Sequence, residues 1–373
     1  MEFILTRIIH ATSVHARYDV RIFLKECISL ARISQYDVHL IVADGRGDEE
    51  IEGIKIHDVG KPKSRISRIF KTTRQVFVKA IRLEGDVYHV HDPELLPLGL
   101  KLKMNGKKVL FDSHEDVAED ILSKEWIPFL ARRWIAILYS WYEKKVCQTL
   151  DGIIGATPFI RDKFLKINDN SVSINNFPLL NEVVDVVRWE EKKDTVCYIG
   201  GIATIRGVKE LVKAMEHLDE VQLNLVGSFN DVFLQAEVQT YNGWHKVNAL
   251  GFLDRFNVGK IMRDSKVGIV TFYPVPNHID AQPNKMFEYM SAGIPVIASD
   301  FPLWKEIIEG NHCGLCVNPL NPDEIAKAIN DVMKNSDKAQ EMGQNGLKAI
   351  KERYNWEIEE EKLFNFYARL IES

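Results

Sequence analysis

The sequence predicts two α/β domains, each a mostly parallel, doubly wound sheet, and three observations predict it. The chain has 373 residues, more than one hydrophobic core usually supports, so two domains of roughly 180 residues are expected. Short Val- and Ile-rich runs alternate with helical patterns through most of its length, as in parallel sheets covered by helices on both faces. A turn-rich segment, Asn175 to Asn181, followed by an acidic and weakly apolar stretch up to Asp194, interrupts that alternation near the middle.

In order, the first half offers strands at 3–10, 37–43, 54–59, 86–91, 108–112, 152–155 and 171–175, and the second at 195–200, 221–226, 246–251, 266–271, 294–298 and 314–317. These place a first Rossmann-like domain at 1–180 and a second at 181–354. Beyond residue 322 only helices are expected. The last, starting near Trp356 and spanning 355–373, carries Leu363, Phe364, Phe366, Tyr367 and Leu370, so it is expected to pack back on the first domain. No sequence repeat or low-complexity segment is present.

Bulk properties narrow the class. A composition 46% hydrophobic and 27% charged is that of an ordinary soluble globular protein. Five scattered cysteines form no disulfide framework, which points to a reducing cytoplasm. Cys313 and Cys316 lack a second pair to complete a metal set and read as structural residues beside a buried strand. No run of 18 apolar residues exists, and Arg7 breaks the N-terminal apolar stretch, so neither a membrane span nor a signal peptide is expected. Residues 1–180 hold 27 Lys and Arg against 24 Asp and Glu, and the rest hold 21 against 29. The basic front half suggests something anionic on that side.

Ligands of open α/β sheets bind beyond the carboxyl ends of the strands. After the first strand come His15, Asp19 and Arg21; after the fourth, His91-Asp92-Pro93-Glu94; after the fifth, Ser113-His114-Glu115-Asp116. The second domain offers Gly200-Gly201 with Arg206-Gly207, then Gly227-Ser228, and Gly251-Phe252. It also carries a helix that Pro283 opens and Gly293 closes, since proline suits a first turn and glycine the left-handed residue past a C-terminus. Lys285 then lies in the first turn, at the positive pole of the helix dipole. That costs roughly 0.3 to 1 kcal/mol unless an anion shares the site. A phosphate is the natural occupant. Asn284 and Glu288 project from neighbouring faces, Glu288 one turn deeper, where sugar hydroxyls would fit. A surface helix with an incidental Lys and Glu is the plain alternative.

His91 through Gly99, Phe111 through Asp116, Tyr198 through Gly201 with Arg206 through Leu211, and Pro283 through Pro295 together resemble the GT-B glycosyltransferases, in particular the retaining family 4 enzymes of bacterial surface-glycan synthesis. The resemblance spans nearly the whole chain. It implies two Rossmann-like domains facing across a cleft, with the C-terminal helix crossing back to the first. It also implies transfer of a hexose or N-acetylhexosamine from a nucleoside-diphosphate sugar to a growing, lipid-linked surface polysaccharide such as capsule or lipopolysaccharide. UDP is the expected nucleotide, and the sugar nucleotide is a co-substrate, with no further cofactor.

Carried across residue by residue, Arg206 and Lys285 would clamp the diphosphate, and Gly200 and Gly201 would let backbone approach it. Asn284 would help cap it, and Glu288 would bind ribose hydroxyls. Gly227, Ser228 and Phe252 complete the expected nucleotide set. The family signature places a glutamate eight residues before the Glu288 position, where this chain has Asp280, so the donor sugar is open. An arginine commonly follows the first glycine of the diphosphate turn; Gly201 replaces it, leaving more of the charge to Arg206. His114 matches a family histidine near the reacting sugar and would orient sugar or acceptor without a covalent role; a histidine satisfied at a strand end is the alternative. His15, Asp19, Arg21, His91, Glu94 and Glu115 are the expected acceptor contacts, with helix capping equally open for Asp19. No D-x-D occurs, so no metal is expected in the reaction.

Two basic stretches carry exposed-type apolar residues. Lys61 to Arg82 has eight basic residues and no acidic one. Trp126 to Val146 combines Trp126, Phe129, Trp134, Tyr139, Trp141 and Tyr142 with Arg132, Arg133, Lys144 and Lys145. Such helices lie in bilayer interfaces, so peripheral contact with the inner face of the cytoplasmic membrane is one expectation and a domain-packing helix the other. Nothing accompanies them that would suit nucleic acid. A sugar-nucleotide epimerase of the same architecture and a non-catalytic glycan-assembly subunit are the competing functions. A dehydrogenase is the least expected class because no G-x-G-x-x-G follows the first strand.

Overall fold

The computed structural model describes residues 5–123, 127–180 and 187–372. The chain divides into two compact units, Met1–Asn176 with Trp356–Ser373, and Phe177–Asn355.

In the first unit the strands are β1 (Thr6–Ala11), β2 (Tyr36–Val42), β3 (Glu49–Ile51), β4 (Ile54–Asp58), β5 (Val87–Val90), β6 (Lys108–Ser113), β7 (Gly152–Gly155) and β8 (Ser171–Ser173). They order as β3-β4-β2-β1-β5-β6-β7-β8. All neighbours are parallel except β3 and β4. Strand order reverses between β1 and β5, so loops leaving their carboxyl ends part and open a crevice there. The apolar alternation foreshadows every strand but β3, whose sequence Glu49-Glu50-Ile51 supplies one apolar side chain at an exposed edge. The expected start of β1 at residue 3 lies outside the described residues.

The helix Trp356–Glu372 belongs to this first unit. Trp356, Leu363, Phe366, Tyr367 and Leu370 are buried along one side, an apolar stripe interrupted only by buried Glu359 and of the sort that drives a helix onto a sheet. Trp356 donates its indole N–H to Ser29 Oγ at 2.9 Å, and Lys108 Nζ donates to the Leu370 carbonyl at 2.7 Å, closing the last turn.

The second unit has β9 (Thr195–Ile199), β10 (Gln222–Val226), β11 (Val247–Gly251), β12 (Val267–Val270), β13 (Val296–Ser299) and β14 (Gly314–Val317). Their order is β11-β10-β9-β12-β13-β14, all parallel. This is the 3-2-1-4-5-6 winding of dinucleotide-binding folds, with its switch point between β9 and β12. Some of its helices start at side-chain caps. Asp254 accepts from Asn257 N, and Asn321 accepts from Asp323 N ahead of Pro322, each worth about 1 kcal/mol. The five cysteines are free, and Cys313 is buried beside β14. Among the described residues, no helix is long and apolar enough to cross a membrane.

Candidate functional site

In the second unit, the loops leaving β9, β10 and β12 are stitched together. Gly200 N donates to the Val226 carbonyl and Ile202 N to the Ser228 carbonyl, both at 3.0 Å. Gly227 has φ +138°, and a Cβ there would lie 1.9 Å from the Gly200 carbonyl oxygen, so only glycine permits this close approach of backbones. After the Gly200-Gly201 turn, the single helical turn Thr204–Arg206 is pinned by Tyr273 N donating to the Ile205 carbonyl at 2.8 Å. The Arg206 guanidinium lies over the Phe272 ring, 5.5 Å from its centroid, and its Nη1 reaches back to the Gly201 carbonyl at 3.4 Å. Arginine charge is thus held on an aromatic face beside a glycine turn at the switch point.

The helix tip completes this edge. The helix runs Asn284–Ser291 with Pro283 as its N-cap residue, one position earlier than an opening proline, and Gly293 at φ +65° just past its end. Buried Trp304 donates its indole N–H to the Ala281 carbonyl at 2.7 Å, fixing the chain that enters the helix. The buried Tyr289 hydroxyl accepts from Ile199 N at 3.0 Å, tying the helix to β9. Lys285 is in the first turn, and its ammonium is ion-paired with the Glu288 carboxylate three residues on; both side chains remain about a third exposed. The anion that offsets the cation at this helix tip is therefore Glu288 itself. Asp280 follows the short helix Pro276–Ile279, four residues before Asn284.

Phe252, expected near the nucleotide, stands 83% exposed after β11. Phe233 and Phe256, exposed to similar degrees after β10 and β11, were not foreseen. Ser228 is exposed on the loop after β10.

In the first unit, Asp112 at the end of β6 organises the residues around the β1/β5 crevice. It accepts a two-pronged pair from Arg21, Nε to Oδ2 and Nη2 to Oδ1, both 2.7 Å. His114 Nε2 lies 2.8 Å from Asp112 Oδ2 and His91 Nδ1 3.2 Å from it. Burial pushes the Asp112 carboxyl up, but the Arg21 charge, then His114, outweigh it and hold the group well below the usual carboxylate range. Ser13 and Thr12 hydroxyls donate to Asp92, and Ser13 Oγ also donates to Glu94 at 2.6 Å, while Arg68 Nε holds Glu94 at 2.9 Å.

The expected acceptor residues separate by depth. His114, His15, Asp19 and Glu94 are partly exposed, and Glu115 is exposed. His15 faces Asp19 at 3.5 Å and Asp92 at 3.4 Å, and its ring lies 4.8 Å from that of His114. Asp19 also caps the helical segment that follows, its Oδ1 accepting from Arg21 N and Ile22 N, so the capping role is the one seen. Arg21 and His91 differ from the expectation: both are almost fully buried, and Arg21 spends its guanidinium on Asp112 and the Ile174 carbonyl. They hold His114 and its neighbours in place from beneath, because a charge this deep is stable only when paired.

Sequence reasoning missed three buried residues here: His10, Glu26 and His89. The signal existed. His89 in β5 and His91, the residue after its end, lie two apart along the chain, and β1 pairs His10 directly opposite His89.

Of the basic stretches, Lys61 to Arg82 is helical over Arg65–Arg82, the middle being π-helical, with Ile66 and Phe70 more than 70% exposed. The helix Phe129–Cys147 exposes Phe129, Leu130, Trp134, Ile135, Ile137, Leu138 and Trp141. Trp126 lies outside the described residues.

Two family models match the chain: "Glycosyltransferase Family 4" over residues 24–176 and "Glycosyl transferases group 1" over residues 181–349. An uncharacterized glycosyltransferase of Methanocaldococcus jannaschii is 26% identical over 205 residues, which cover 49% of this chain and 50% of that protein. The chain spans about half the length of the first curated relatives it matches. Sucrose-phosphate synthase from Thermosynechococcus elongatus superposes with a TM-score of 0.80 at 18% identity, covering 98% of this chain and 99% of that one. Anabaena HepE, solved in complex with UDP-glucose, superposes with a TM-score of 0.72 at 15% identity, covering 97% and 99%.

Proposed function

The chain belongs to the GT-B glycosyltransferases of family 4, and from that premise we propose that it transfers a hexose or N-acetylhexosamine, with retention, from a UDP-sugar to a growing surface polysaccharide. One observation carries the reading. At the switch point of the second unit, a glycine turn, the Arg206 guanidinium and the first helical turn with Lys285 gather at the carboxyl ends of β9 and β12. A diphosphate fits such a place because free backbone N–H groups, the helix dipole and two cations all favour it. The same charges stabilise the departing UDP, which is electrostatic catalysis by side chains already in place and requires no metal in the transfer step. Lys285 leaves Glu288 for phosphate, and Glu288 then accepts the ribose hydroxyls. Asp280 takes the place of the family's glutamate toward the donor sugar. His114, held by Asp112, and the neighbouring His15 and Glu94 offer hydroxyl-binding groups on the first unit for sugar or acceptor. The Anabaena protein's complex with UDP-glucose supports the choice of nucleotide.

The acceptor is lipid-linked in this reading. Seven large apolar side chains stand exposed on the helix Phe129–Cys147 beside Arg132 and Arg133, the composition of a helix lying in an anionic bilayer surface. A thermal-shift screen of UDP-, GDP- and TDP-sugars, followed by transfer to polyprenyl-diphosphate-linked saccharides, tests the activity. A UDP-sugar is expected to stabilise the protein most and to give an α- or β-linked product of unchanged anomeric configuration. Conversion of donor alone would assign an epimerase, and binding without turnover a non-catalytic subunit. Flotation with anionic vesicles tests the membrane contact, and failure to float would exclude it.

A further inference from the structure

Beneath the crevice of the first unit lies a group of side chains that the proposed transfer does not use. His10 from β1, His89 from β5, His91 just past the end of β5, and Glu26 from the π-helical segment Ile22–Cys27 converge there, all buried. Glu26 Oε2 stands 4.0 Å from His10 Nδ1, 3.9 Å from His89 Nδ1 and 3.9 Å from His91 Nε2. His10 Nδ1 and His91 Nε2 are 2.9 Å apart. We propose that these four side chains form a binding site for one divalent transition-metal ion, zinc by its donor set, enclosed within the first unit.

Three features carry this. The first is spacing. A tetrahedral zinc ion bonded at about 2.0 to 2.2 Å sets its ligand atoms about 3.3 to 3.6 Å apart. The distances of 2.9 to 4.0 Å bracket that spacing, and all four candidate ligand atoms lie within 4.8 Å of one another, so side-chain shifts of well under about 1 Å would close the set.

The second is unmet polarity. Among the described residues neither Glu26 oxygen, buried at the centre of the three imidazoles, has a hydrogen-bond partner. Arg21 Nε faces Glu26 Oε1 at 3.2 Å and answers part of its charge. A buried carboxylate left without a hydrogen bond is unfavourable and calls for an occupant. Three imidazoles and a carboxylate suit zinc in preference to calcium or magnesium, which take oxygen donors.

The third is support from behind. His91 turns Nε2 toward the site and Nδ1 toward Asp112 Oδ2 at 3.2 Å, the carboxylate–histidine arrangement that orients metal ligands. The Tyr367 hydroxyl, 2.8 Å from His89 Nδ1, gives up that contact when the ion binds, and any proton on Glu26 leaves with it. Because the four ligands are buried and come from three separate elements, the ion's role is to hold β1, β5 and the π-helical segment together. It belongs wholly to the first unit and takes no part in holding the diphosphate.

The test uses the untagged full-length chain, incubated with zinc, desalted, and analysed for bound metal by mass spectrometry. Roughly one equivalent per chain is expected, with a rise in melting temperature of several degrees. Cobalt in its place is expected to give visible absorption bands of a nitrogen-rich site. His10→Gln and His89→Gln are each expected to abolish retention. His57→Gln, which breaks the separate His39–His57 pair, is expected to leave it unchanged. Less than about a tenth of an equivalent in the unmodified chain, with an unmoved melting temperature, would overturn the site in favour of a buried water network. This outcome needs no variant to fold. Loss of the metal in His57→Gln with retention in His89→Gln would overturn it equally.

Discussion

The two units treat ionic groups in opposite ways. In the first, Arg21 and Asp112 are 4% and 0% exposed at the side chain and locked in a two-pronged pair. In the second, Lys285 and Glu288 are 31% and 30% exposed and meet as neighbours on one helix turn. Magnitudes say what each arrangement is for. Removing one partner of a buried pair strands the other and costs about 3 to 5 kcal/mol, so Arg21 and Asp112 are fixed parts of the fold. A half-exposed pair is worth about 0 to 1 kcal/mol, less than the roughly 1.5 to 3 kcal/mol of a hydrogen bond to a charged group. Lys285 can therefore exchange Glu288 for a phosphate at a gain. One unit spends its charge on shape, and the other keeps it available.

Asp112→Ala is the sharpest way to break this contrast. It removes the two-pronged partner of the buried Arg21 guanidinium, leaving only Glu26 at 3.2 Å, and frees His91 and His114 at once. A loss of about 3 to 5 kcal/mol in urea-unfolding free energy is expected. A loss below about 1 kcal/mol would place the pair with ordinary surface bridges.

Arg206→Ala and Lys285→Ala come next and should behave in the reverse manner. Each is expected to weaken UDP binding by roughly 1.5 to 3 kcal/mol in calorimetry while the unfolding midpoint stays put. Unchanged affinity in both would remove the phosphate assignment. A comparable loss of stability would show that these cations are structural after all.

Glu288→Gln separates the two halves of the nucleotide. If Glu288 accepts ribose hydroxyls, UMP and UDP should both lose about 1 kcal/mol of affinity, since both carry the ribose. A loss confined to UDP would mean that Glu288 acts only by steering Lys285.

How much of this contrast the sequence discloses follows from the same physics. Strands such as β9 and β12 are legible because buried parallel strands are runs of Val, Ile and their like. The helix tip is legible because proline, lysine and glycine stand at positions with local meaning. Strand β3 is not, since Glu49-Glu50-Ile51 is held by pairing with β4 and has no buried face. Arg21 and His91 read as ligand contacts because charged residues after a strand are usually exposed; only the fold shows Asp112 beneath them. Glu26 is hidden for a related reason. A lone carboxylate in Ile22-Phe23-Leu24-Lys25-Glu26-Cys27 looks like the solvated side of a helix, and nothing local says that three histidines from β1 and the end of β5 surround it.

His15 lies between the two regimes and gives the smallest effect. Burial alone would lower its pKa, but the hydrogen bond to Asp19 and the charge of Asp92 raise it overall. A raised histidine binds its proton more tightly folded than unfolded. Its contribution is therefore fully present below the unfolded pKa of about 6.5 and fades as pH rises through the folded value. With the side chain 28% exposed, the gain is at most about 1 kcal/mol. His15→Asn should accordingly cost stability near pH 6 and cost almost nothing near pH 9, as read from urea unfolding at the two pH values. An equal cost at both would mean that His15 is held by packing against His114 and not by its two carboxylates. It would then be held, like the buried residues of the first unit, by its surroundings and not by its charge.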